Sequence, residues 1–123
     1  MKVLQAFVAN KVGIAAAATI AVFLTQGSSV AQSCHRRYAV QDRTNLSVVE
    51  FSYEQEGQWS PNLLAFVLSP GAKQGVDIDG QGSSQFSAKL SNGRVVGSQV
   101  DDLCTCNEVT IYFSEGVFRM SVR

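Results

Sequence analysis

The sequence is poor in the residues from which catalytic sites are usually assembled. It holds one His, His35, and one Trp, Trp59. No Ser sits in a Gly-x-Ser-x-Gly elbow, so the nucleophile signature of an α/β-hydrolase is missing. The pair Gly80-Gln81-Gly82 leads into Ser83 and Ser84, without the helix and Lys that a phosphate-cradling loop needs. Glu50, Glu54 and Glu56 fall on a strand face and in a loop, and their spacing singles out no general acid–base pair. An excess of one charge is missing too, since 10 Lys and Arg face 10 Asp and Glu. There is no basic field for nucleic acid and no polybasic face for anionic lipid. Helical periodicity of useful length is absent beyond residue 31, as are repeats and low-complexity tracts. These absences argue against an enzyme and imply no cofactor.

What is present begins with an export signal. Lys2 and Lys11 bracket a basic leader, Val12 to Leu24 is apolar or small, and Ser29 and Ala31 offer the small side chains a signal peptidase takes. That layout predicts a signal peptide over residues 1–31, and the apolar run is short for a membrane span of roughly 20 residues. Cys34 follows a small residue but lacks the aliphatic residue of a lipid-attachment box, which weighs against lipidation. Losing Lys2 and Lys11 with the leader turns a formally neutral chain slightly acidic. The remainder is the size of one small domain, placed in the periplasm or outside the cell and free of a stable membrane anchor.

Residues 32–37 read as a flexible N-terminal arm, and a domain over 38–123 follows. Tyr38 to Gln41 predicts a short strand and Asp42 to Asn45 a turn. Leu46 to Tyr53 alternates, with Val49, Phe51 and Tyr53 on one face. Glu54 to Gln58 reads as a polar loop. Strands are expected over Gln74–Ile78, Gln85–Leu90, Val95–Val100, Asn107–Phe113 and Val117–Val122. Asn92-Gly93 predicts a type I′ hairpin turn with two positive-φ residues. About seven short strands at roughly 8–12-residue spacing imply an all-β, antiparallel β-sandwich.

The chain centres on Trp59 to Gly71, which carries the sole Trp, both prolines and the apolar Leu63, Leu64, Phe66, Val67 and Leu68. Ser60 and Pro61 suit the N-cap and first position of a single helical turn, after which Leu63 to Leu68 would enter the core. Pro70-Gly71 predicts a type II turn. Trp59 fits the cap of one end of the core. The competing reading is an exposed binding patch of Trp59, Tyr53 and Tyr38.

Cys34, Cys104 and Cys106 lie in the exported part, where a disulfide is the default. Cys104 and Cys106 are too close for an unstrained bridge, so Cys34 is expected to pair with one of them. Such a closure of about 70 residues is worth roughly 4 kcal/mol in the chain-entropy treatment. Alternatively Cys34, His35, Cys104 and Cys106 form an S₃N set for Zn²⁺ or Cu(I). Asp77 and Asp79 with Gly80 and Gly82 form an incomplete calcium loop, better read as a solvated strand end. Asn45-Leu46-Ser47 matches a glycosylation sequon, a tripeptide common by chance.

In order along the chain, Arg43-Thr44-Asn45, Leu46 to Tyr53, Trp59-Ser60-Pro61-Asn62-Leu63-Leu64, Leu68-Ser69-Pro70-Gly71, Ser84 to Leu90, Asn92-Gly93 and Asp102-Leu103-Cys104 stand as one pattern. The pattern, covering Val40 through Phe113, resembles a family of small exported bacterial proteins with no established activity. The resemblance implies a small β-sandwich outside the cytoplasm. In that family the partner of the Cys104 position is a strand cysteine, replaced here by Ser84, while Cys106 is additional. The resemblance therefore favours Cys34 as the substitute partner of Cys104.

The function expected is a non-catalytic exported domain that binds another protein or an envelope component, through a free sheet edge or the surface around Trp59. The alternatives are the metal-handling protein just described and a small secreted enzyme inhibitor.

Overall fold

Val76 and Ile78 in Lys73–Gly80, and Ser84, Phe86, Ala88 and Leu90 in Ser84–Leu90, recur at every second position, which in an extended chain puts them on one side. The structure, a computed structural model that describes residues 33–123, follows that alternation closely. Gln74, Val76 and Ile78 are buried in the first segment, and Ser84, Phe86, Ala88 and Leu90 in the second. Eight strands result: β1 Cys34–Arg43, β2 Val48–Gln55, β3 Gln58–Trp59, β4 Lys73–Gly80, β5 Ser84–Leu90, β6 Val95–Val100, β7 Glu108–Ser114 and β8 Val117–Val122. They form two four-stranded sheets, ordered β4-β1-β7-β8 and β3-β2-β5-β6. The described residues contain no helix. The signal peptide over 1–31 lies outside the described residues.

The two sheets pack face to face as a β-sandwich. Tyr38, Val40, Val76, Ile78, Val109 and Ile111 come from one sheet and Phe51, Phe86, Ala88, Leu90, Val96 and Val100 from the other. Phe86 takes both Tyr38 and Phe51 edge to face, each at 5.4 Å between ring centres. Such aromatic pairs add about 1 kcal/mol each beyond the area they bury.

Several local expectations need correction. Every ladder is antiparallel except β1–β7, which runs parallel from Ala39 opposite Glu108 to Arg43 opposite Tyr112. Both strands start at the same end of the sandwich, and most of the chain lies between them, so no turn signal announces the pair. Residues 34–37, expected in a flexible arm, belong to β1 and pair with β4 from Cys34 opposite Gly80 onward. In β2 a bulge between Val48 and Glu50 switches the inward face, so that Val48 and Phe51 are both fully buried. A bulge inserts one extra residue and so reverses the alternation past it.

The turn chemistry also differs. Ser69 C=O accepts from Ala72 N at 2.9 Å with Gly71 at φ 85°, which is the expected type II turn. At Asn92-Gly93 only Gly93 has positive φ. Leu90 C=O accepts from Gly93 N, and Arg94 C=O from Leu90 N. This is a type I turn closed by a glycine bulge, not a type I′ turn. The pairs with two positive-φ residues are Glu56-Gly57 and Glu115-Gly116.

Ser60 and Pro61 start no helical turn, and only Leu64 and Leu68 of the apolar run are buried while Phe66 and Val67 face solvent. The chain here runs along β2 and serves as its edge.

Candidate ligand-binding surface around Trp59

Trp59 owes its position to a two-residue hairpin between β2 and β3. Glu56 and Gly57 adopt φ 53° and 80°, the handedness that matches strand twist in a two-residue hairpin. Gly57 N donates to the Glu54 carboxylate. Gln58 and Trp59 then pair back onto Gln55 and Glu54.

Past Trp59 the backbone cannot keep a regular ladder, because Pro61 has no N–H. Side chains replace it. Ser60 N donates to Tyr53 C=O at 2.8 Å and Ser60 Oγ accepts from Tyr53 N at 3.1 Å. Asn62 Oδ1 accepts from Phe51 N at 3.0 Å and from Leu64 N at 3.1 Å. Farther on, Gln74 Oε1 accepts from Ala65 N, and its Nε2 donates to Phe66 C=O. The edge of β2 is thereby closed, and the free edge expected to bind a partner is not found there.

Trp59 is 51% exposed. It does not cap the core, since it belongs neither to the buried cluster nor to the partly buried apolar side chains packed against it. The patch of three aromatics is not assembled either, since Tyr38 is fully buried. Tyr38 Oη donates to Leu103 C=O at 2.7 Å, and burial raises its pKa to about 12. Tyr53 does lie beside Trp59. Its Oη donates to Asp79 C=O at 2.7 Å and accepts from Asp79 N at 3.3 Å, covering the last outward-facing backbone pair of β4.

The indole forms a ridge between two hollows. One, of about 380 Å³, opens toward Tyr53, Gln55, Asp79 and Gln81. The other, of about 370 Å³, lies on the outer face of the second sheet over Gln85, Ser87, Gly97 and Gln99. Sequence reasoning singled out Trp59 but missed this floor, although the outward positions of β5 and β6 alternate regularly with the buried ones.

At the same end of the sandwich Cys34 is bonded to Cys104, with Cα atoms 5.9 Å apart. Cys34 Sγ is therefore committed to the bridge and not open to lipidation. Cys106 carries the free thiol and is half-buried; its C=O accepts from Arg36 Nε at 2.8 Å.

The S₃N metal set is not assembled, because two of its sulfurs are joined to each other. His35 stands on the outer face, where Asp79 hydrogen-bonds its Nδ1 and Asp77 lies 3.7 Å from Nε2. The hydrogen bond to Asp79 raises the His35 pKa, and the charges of Asp79 and Asp77 add to it. Arg37 donates to Asp77 at 3.1 Å. The carboxylates of the incomplete calcium loop are thus turned to β1 cations. Among the described residues no group of three or more His, Cys, Asp or Glu is arranged to hold a metal ion.

The opposite end holds a residue the sequence reading placed in a turn. Asp42 is the last inward residue of β1 and is fully buried. Its Oδ1 accepts from Thr44 N at 2.9 Å and Thr44 Oγ1 at 2.7 Å, while Oδ2 has no partner. Burial raises its pKa against the pull of those two bonds. Nearby, Phe113 and Phe118 meet edge to face at 4.8 Å and with Leu46 line an open apolar cleft. Phe113 alternates in phase with Val109 and Ile111 but is exposed, because β7 outruns the core at that point.

No protein family, curated protein or solved structure matches this chain.

Proposed function

We propose that this protein is a non-catalytic domain of an oxidising compartment that binds another protein or an envelope component through the surface around Trp59. One observation carries the reading: a large indole, half exposed, is held at a fixed place by a tight hairpin and three side-chain-to-backbone bonds around Ser60 and Asn62. Immobilised aromatics of this kind dominate recognition surfaces, because they bring large contact area with little entropy to lose. The Cys34–Cys104 bridge agrees with export, as does the leader over residues 1–31. The exported family that the chain resembles would supply the same setting. The lone imidazole, His35, is occupied by carboxylates on an open strand face, and this supports a binding role over a catalytic one.

The test is capture from an envelope fraction with the cleaved protein and its Trp59→Ala variant, both checked for the intact disulfide. The reading expects material retained by the first and lost by the second. Equal retention by both removes the Trp59 surface from consideration.

A further inference from the structure

The hollow over the second sheet has a chemistry of its own. Register places Trp59 opposite Glu54, Glu54 opposite Gln85 and Gln85 opposite Gln99. These four side chains form one row across β3, β2, β5 and β6, about 14 Å long at ordinary strand spacing. The next row is Ser52, Ser87 and Gly97. We infer that this face binds a neutral saccharide chain, with a sugar ring stacked on Trp59 and its neighbours hydrogen-bonded along the Gln85–Gln99 row. The inference rests on the Trp59 reading above and gives its ligand a chemical class.

Complementarity selects the class. A sugar ring has a C–H face and a rim of hydroxyls, each both donor and acceptor. An indole face takes the first by burial and weak C–H contacts. Primary amides and serine hydroxyls match the second, since each also donates and accepts. Anions find no Arg or Lys in either row; Lys89 lies beyond Ser87, paired with Val95. A protein partner would want an apolar centre to its interface, and beyond the indole these rows are amide, hydroxyl, Gly97 and the Glu54 carboxylate, which accepts from Gly57 N. Gly97 adds no side chain to the floor, and a Cβ there would come within 2.9 Å of Phe86 C=O. The volume of about 370 Å³ falls in the range of small-ligand sites.

Because Trp59 is the only Trp, fluorescence reports on this site alone. Short neutral oligosaccharides of glucose, xylose, mannose and N-acetylglucosamine would each be titrated into the folded, disulfide-bonded protein. Indole emission and calorimetry are the readouts. At least one sugar is expected to give a saturable shift with a Kd between about 10 μM and 1 mM. Trp59→Ala should abolish the heat of binding. Gln85→Ala and Gln99→Ala, surface changes that spare the core, should each weaken it roughly fivefold to tenfold.

No response to any of the sugars up to ~10 mM overturns the inference, as does binding that Gln85→Ala and Gln99→Ala leave untouched. Trp59-dependent capture of envelope material with no sugar response sinks the saccharide and leaves the Trp59 surface standing. Capture that survives Trp59→Ala sinks the parent reading.

Discussion

At the scale of single residues, the fold shifts the titration of His35 and of Asp42. His35 and Asp79 face each other across β1 and β4, and the proton they share favours the imidazolium. Resonances of the His35 ring, followed against pH, should titrate above the ordinary 6.5. Asp79→Asn should return the midpoint toward that value, and Asp77→Asn should move it less. The sign for stability follows from linkage. Because the folded value is the higher one, the pair stabilises the fold fully below 6.5 and ceases to do so as pH rises through the folded value. The exposure of both groups keeps the effect small and sensitive to salt.

At Asp42 the fold disfavours the charged form, yet stability again falls as pH rises. Its raised value means the folded state prefers the neutral carboxyl, so burial of the charged form opposes folding above the folded pKa. Asp42→Asn keeps an oxygen for the two Thr44 bonds and removes the charge. Denaturation at neutral pH should therefore show the variant at least as stable as the parent, with a flatter dependence on pH between the ordinary 3.8 and the higher folded value. Loss of stability would show that the ionised group is worth more than its desolvation.

At the scale of elements, strands were readable and their junctions were not. Phe86, Ala88 and Leu90 announce β5 by period alone. The β2 bulge is invisible to that reasoning, since Val48 and Val49 are equally apolar and only pairing with β5 decides which one turns inward. Turns show the same limit. Asn92-Gly93 has the composition of a type I′ turn, but Ser91 joins the loop and lengthens it to three residues, which selects a type I turn with a bulge. The two-residue hairpins carry Glu56 and Glu115 at positive φ, where Glu is seldom found. Replacing Glu56 by Asn should therefore stabilise the protein, by roughly 0.5 kcal/mol, measured by chemical denaturation. No gain, or a loss, would mean that Glu56 makes a compensating contact.

The segment after Trp59 makes the complementary point. Its amides do the work of backbone. Asn62→Ala leaves the N–H groups of Phe51 and Leu64 without their acceptor and should cost about 1–2 kcal/mol. It should also release the hairpin strand that holds the indole, so sole-Trp fluorescence anisotropy should fall. Nothing in the residue string says that Asn62 lies beside Phe51 rather than capping a helix; the distance between them is set by the fold.

At the scale of the molecule, the two-sheet architecture was legible because every strand but β3 carries its own inward row. The parallel β1–β7 ladder was not, and it is the joint on which one sheet depends. Its strands meet only when the first and last thirds of the domain come together, so their association carries a large loop-closure cost. The Cys34–Cys104 bridge spans 70 residues and ties the start of β1 to the segment that leads into β7. It therefore shortens in advance the loop that the ladder must close. Removing it by the paired change Cys34→Ser and Cys104→Ser should lower stability by about 2–4 kcal/mol. For a domain of this size that is a fall in Tm of roughly 10–25 °C. Cys106→Ser, which leaves the bridge in place, should move Tm by much less. The loss should be the same with and without reductant in the paired variant, whereas the parent should fall to the variant's Tm only when reduced. If the parent held its Tm in reductant with both sulfurs alkylated, the ladder would be stable by strand packing alone, and the bridge would have to serve some end other than holding the sheet closed.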